Sequence, residues 1–187
     1  MSVRIGVIAA SLLLATASTG SAQRMVSGLA AGATYSDFEN PDTESRWGFS
    51  GGLFVGVSTG RSVSLLEVSY TQKGDANTRI DYIETGITGG AVAGRPDGAR
   101  GRFYGGITVA FPVSCEGDNL AADTFCGNTK TEWGAPLGMN LGRVTPSGTF
   151  VGLDIRYTFP LSDAGLEIYN NPWMFRLTLG KEKRPRR

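Results

Sequence analysis

The sequence predicts an all-β fold, specifically an eight-stranded antiparallel up-and-down transmembrane β-barrel. Three observations predict it. Apolar residues alternate with small or polar ones at period two, in segments of roughly ten residues. The gaps between segments alternate between tight turns and longer polar loops. After the N-terminus there is neither a helical i, i+3, i+4 stripe nor an apolar run of ~18 residues.

The segments follow in order. Segment 24–36 sets Gly28 and Gly32 on its small face and closes on Tyr35, and 46–57 repeats this with Trp47 ahead of Gly48, Gly52 and Gly56. Segment 62–73 carries Glu67 and Tyr70, 80–93 carries Glu84, Gly86 and Gly90, and 101–113 carries Arg102, Gly106 and Phe111. The cleanest alternation is 131–144, where Trp133, Ala135, Leu137, Met139 and Leu141 face one way and Glu132, Gly134, Pro136, Gly138, Asn140 and Gly142 the other. In 149–161, Val151, Leu153, Ile155, Tyr157 and Phe159 oppose Gly152, Asp154, Arg156 and Thr158; 172–181 opens on Trp173 and carries Arg176. Even-numbered gaps are turn-like, such as Pro146-Ser147-Gly148. Odd-numbered gaps are mostly longer, the longest running from Ser114 to Lys130. An even strand number with long loops at one end and tight turns at the other is the pattern of an outer-membrane barrel.

Composition removes much chemistry. The 187 residues fit one domain, and the 27 glycines are about twice the ordinary share of ~7%. With no histidine, imidazole-based triads and His-ligated zinc are excluded, and two cysteines cannot build a four-thiolate site. A balance of 18 basic and 17 acidic residues lacks the basic excess of a nucleic-acid binder. Residues 1–22 read as a signal peptide: one Arg, an apolar run from Ile5 to Leu14, then Gly20-Ser21-Ala22 at the expected cleavage point. The predicted barrel domain is 23–181, with a basic tail at 182–187.

Alternation alone does not say which face is outside, and three features predict that the apolar one is. The opposite face is dominated by glycine, which suits the cramped interior that eight strands enclose. The apolar face gathers Tyr35, Trp47, Tyr70, Phe111, Trp133, Phe159 and Trp173 at the long-loop ends, as an aromatic girdle at a membrane interface would. Charge also sorts by end. The long loops carry Asp37, Glu39, Asp42, Glu44, Asp75, Glu116, Asp118, Asp123, Asp163 and Glu167 against Arg46, Lys73, Arg79 and Lys130. The turn side carries Arg24, Arg61, Arg95, Arg100, Arg143 and the tail bases against Asp97 and Glu182. All four lysines are placed at strand ends or in loops.

The runs GLAAGATYSDF, GFSGGLFVGV, SLLEVSYTQKG and DYIETGI, in that order, resemble the small eight-stranded outer-membrane β-barrel proteins of the porin family. The likeness spans Met25 to Lys181, and its most specific part is Glu67, Tyr70 and Lys73-Gly74 followed by Asp81-Tyr82-Ile83-Glu84. Two positions depart from it: Gly86 stands where the family commonly has Pro, and the chain ends on KEKRPRR rather than on an aromatic residue. The resemblance implies outer-membrane lipid and the outer-membrane assembly machinery as partners, with the terminal assembly signal masked by the tail.

Parity points Glu67, Glu84, Asp154, Arg102, Arg156 and Arg176 into the barrel, where buried charges must pair, and places Glu132 near the upper rim. This lumen charge network is expected to plug the barrel. Cys115 and Cys126, both placed in the longest loop, should form a disulfide in an exported protein. The acidic loops lack EF-hand spacing and read as solvated charge facing an extracellular partner. No catalytic residue, cofactor site or metal site is expected, and the function is read as structural or surface-interactive, with a narrow channel or a soluble ligand-binding barrel as alternatives.

Overall fold

The computed structural model describes residues 23–38, 44–95 and 97–183. The expected signal peptide, Glu39 and Asp42 of the first loop, and tail residues 184–187 lie outside them. Eight strands follow the chain: β1 (Arg24–Ser36), β2 (Arg46–Ser58), β3 (Ser62–Asp75), β4 (Thr78–Gly94), β5 (Ala99–Gly117), β6 (Glu132–Val144), β7 (Thr149–Pro160) and β8 (Trp173–Lys183). Each pairs antiparallel with its sequence neighbours, and β8 returns to β1, so the sheet closes and has no free edge.

The faces are those of an inverted barrel. Leu137, Leu153 and Leu177 are 60%, 41% and 68% exposed, whereas Asp154 and Arg156, one residue away from Leu153 and Ile155, are 3% and 5% exposed. The inward glycines answer to backbone as much as to side-chain volume. A Cβ on Gly32 or on Gly106 would lie 2.0 Å from the carbonyl oxygen of Phe175 or Ile87 on the neighbouring strand. A strongly coiled, narrow sheet brings strands that close on its concave side, and only glycine fits there.

The third gap, expected to be a polar loop, is a two-residue turn. β3 and β4 run on to the pair Asp75–Thr78, and the Asn77 N–H donates to Asp75 Oδ1 at 3.1 Å. Above the apolar band both faces are polar, so alternation loses its signal there. β5 likewise continues to Gly117, with a register shift opposite Asp81 and Tyr82 that leaves Val113 as the extra residue between Pro112 and Ser114. Cys115 therefore sits on a strand rather than in a loop.

The longest loop contains a helix that the sequence reading excluded: α1 (Leu120–Cys126), capped by Asn119, whose side chain accepts from the Ala122 N–H at 2.9 Å. Seven residues are too few to show a helical stripe. Its Phe125 packs on Phe38, with ring centroids 5.0 Å apart, and joins Ile80, Tyr82, Ala110 and Ala164 in an apolar cap over the loop end. At the opposite end β8 extends to Lys183. Glu182, assigned to the tail, is a strand residue opposite Val26.

Candidate functional site

Among the described residues, buried charged groups concentrate in the lumen, and they are layered. In the central layer Glu67 reaches from β3 across the barrel to β7 and β8. Arg156 donates to its two oxygens at 3.3 and 2.9 Å, and Arg176 at 2.6 and 3.4 Å. Arg176 also holds Asp154, its cross-strand partner, at 2.8 and 3.2 Å. Tyr104 completes the set, donating its hydroxyl to Asp154 at 2.5 Å and accepting from Arg156 Nε at 3.1 Å. The local sequence makes room for these side chains: Arg176 is paired with Gly32, Arg156 with Gly138 and Glu67 with Gly86.

Of the six predicted lumen residues, this layer unites Glu67, Asp154, Arg156 and Arg176. Glu84 lies toward the loops, where Lys73 donates to it at 2.7 Å and stands 3.7 Å from Glu132. Tyr82 donates its hydroxyl to Glu132, which is buried rather than at an open rim. Arg102 lies toward the turns with Arg24, Arg100 and Glu182: Arg100 donates to Glu182, and Arg24 is 3.5 Å from it.

Five participants escaped the sequence reading. Lys73 and Arg100 were counted with the loop and turn charge, yet both are buried, 3% and 4% exposed, and Glu182 was left in the tail. Their parity was the missed signal. Lys73 shares the face of Glu67, Arg100 that of Arg102, and Glu182 that of Arg176, so carrying alternation to the true strand ends finds all three. Tyr82 enters the sequence reading only through the resemblance and Tyr104 does not enter it, although a buried phenol needs a hydrogen-bond partner.

A small space in the lumen, about 20 Å³, is bordered by Glu67, Arg102, Tyr104, Asn140, Asp154 and Arg176. That is room for about one water. No group of three acidic or thiol side chains placed to hold a metal occurs among the described residues.

No family model matches this chain, and no curated protein does either. Solved structures do. The N-terminal β-barrel domain of Pseudomonas aeruginosa OprF superposes with a TM-score of 0.57 at 14% identity, over 88% of this chain and 99% of that one. Neisserial surface protein A superposes with a TM-score of 0.59 at 10% identity, over 87% of this chain and 97% of that one. This chain has the fold of the small eight-stranded outer-membrane barrels. At such identities the likeness carries fold alone.

On this outer-membrane-type barrel the outward aromatics of β2, β1, β8 and β7 form a continuous run. Tyr35 lies 5.0 Å from Trp47 between ring centroids, Trp47 lies 6.4 Å from Phe175, Phe175 lies 6.4 Å from Trp173, and Trp173 lies 5.0 Å from Tyr157, which meets Phe159 at 4.7 Å. Tyr157 and Phe175 were not among the predicted girdle residues. Phe111 and Trp133 face outward on β5 and β6, while Tyr70 is half-buried and accepts a hydrogen bond from the Gln72 amide at 3.1 Å. Cys115 and Cys126 are joined by a disulfide that ties the end of β5 to the end of α1.

Proposed function

We propose that this protein is a non-enzymatic barrel of a bacterial outer membrane, exported by a signal peptide cleaved near Ala22, with a structural or surface-interaction role. The observation that carries the reading is the bracing of Glu67 by Arg156 and Arg176 across the lumen, inside a cylinder clothed by exposed leucine, valine and aromatic side chains. In this reading the ion pairs plug the barrel. The space beside the ion pairs is on the scale of one water, and eight strands enclose too little width for an open pore, which supports this reading.

The same reading orients the barrel. The aromatic run marks one lipid–water boundary, the turns and both termini face the periplasm, and the loops with their disulfide-bound cap face outward. Outer-membrane lipid and the assembly machinery are the constitutive partners, and the acidic loop end, with Glu116 at the end of β5 61% exposed beside Arg79, presents the surface to an extracellular one.

Reconstitution in a planar bilayer tests the plug. The expected record is a flat baseline; stable, large single-channel steps would overturn it. Recovery in the soluble periplasmic fraction without detergent would overturn the membrane assignment.

A further inference from the structure

We propose that the turn end of the lumen binds one small monovalent anion, of about chloride size, on the guanidinium edge of Arg102. Arg102 is 3% exposed, and its Nε and Nη2 are both buried without a hydrogen-bond partner. These two donors lie side by side on one edge of the planar group, the fork with which arginine grips an anion. The ring of Phe150 covers one face at 4.3 Å and leaves that edge free.

Among the described residues no carboxylate oxygen lies within hydrogen-bond reach of the fork, although Glu182 Oε1 and the Oδ1 of Asn140, the cross-strand neighbour of Arg102, are also buried without hydrogen-bond partners. Glu182 is 3.9 Å from Arg102 Nη2, beyond hydrogen-bond reach, and the oxygen nearest to it already accepts from Arg100. Glu67 and Asp154 border the same space but are committed elsewhere, Glu67 to Arg156 and Arg176, Asp154 to Arg176 and Tyr104. Layer by layer, the charge at the centre cancels between two carboxylates and two guanidiniums, whereas at the turn end Arg24, Arg100 and Arg102 surround the single carboxylate of Glu182.

Buried charge that is only partly offset is costly: Glu182 at 3.9 Å is shared by three guanidiniums, so the balance of this layer among the described residues is positive. Water would satisfy the donors and leave the charge. The space beside Arg102, about 20 Å³ and bordered also by Glu67 and Asp154, is of the size of a single water molecule and fits a monatomic ion better than phosphate or sulfate. At the loop end the sign reverses, with Lys73 set between Glu84 and Glu132, so no anion belongs there.

Crystals of the refolded full chain grown in sodium bromide test the site. The expected result is an anomalous bromine peak about 3.3 Å from Arg102 Nε and Nη2, a normal charge-assisted distance for a halide somewhat larger than oxygen. In parallel, thermal unfolding in detergent is followed at constant ionic strength in chloride and in gluconate. The wild-type protein should melt several degrees higher in chloride, and Arg102→Met and Arg102→Gln should abolish the difference. No bromine peak at Arg102, equal melting in the two salts, or a chloride effect that survives both substitutions would each overturn the proposal. Should neither variant fold, the bromide map and the wild-type melts decide it alone.

Discussion

The centre and the turn end of the lumen are built from the same residue types in opposite economies. At the centre two guanidiniums meet two carboxylates and a phenol, and every carboxylate oxygen accepts at least one hydrogen bond. At the turn end three guanidiniums share one carboxylate, and a fork of donors on Arg102 stays unused. Arginine inside a barrel is therefore not one kind of element. Where partners reach across the lumen it braces opposite walls; where they are too few it keeps a local positive charge available.

Substitutions separate the two ends. Glu67→Gln should be the most damaging, since it leaves Arg156 and Arg176 facing each other without their shared counter-ion. A loss of about 3–5 kcal/mol is expected for breaking a buried pair from one side, visible as a large drop in the temperature at which the folded band disappears on a heat-modifiability gel. Removing the disulfide with Cys115→Ser and Cys126→Ser touches neither layer. It should cost about 2–3 kcal/mol by freeing a short loop and open the segment from Asn119 to Lys130 to protease while the strands stay protected.

Tyr104→Phe deletes two hydrogen bonds, the one given to Asp154 and the one accepted from Arg156 Nε, and should cost about 1–3 kcal/mol, read by thermal unfolding in detergent. Arg102→Met, measured in chloride-free buffer, should cost clearly less than Glu67→Gln, because it gives up a 3.9 Å ion pair with Glu182 and a ring contact with Phe150 but no hydrogen bond. If Arg102→Met proves as damaging as Glu67→Gln under those conditions, the contrast between the two ends is wrong.

The apolar-out, charge-in inversion was legible in the sequence because alternation is a two-residue property that the closed sheet preserves. Asp154 and Arg156 between Leu153, Ile155 and Tyr157 already announced it. Strand ends were less legible. Lys73, Arg100 and Glu182 sit beyond the apolar band, where the outward face turns polar and the alternation becomes polar on both sides. Partner choice was not legible at all: that Glu67 meets Arg156 and Arg176 rather than Arg102 depends on which strands face each other across the barrel. The α1 cap escaped because its apolar contacts, Phe125 with Phe38 above all, join residues far apart in the chain. Pro136 is a similar case. The β5–β6 ladder is interrupted between the pairs Gly105–Leu137 and Thr108–Gly134, where a proline has no N–H to give.

The central claim is that neighbouring residues of one strand meet opposite worlds, oil outside and paired ions inside. Nitroxide labels introduced one at a time at Leu153 and Leu177, in protein reconstituted into lipid vesicles, test it directly by electron paramagnetic resonance. Both labels should relax strongly with oxygen dissolved in the bilayer and stay indifferent to a water-soluble nickel chelate. Labels that respond to the chelate and not to oxygen would place those leucines away from lipid and contradict the account.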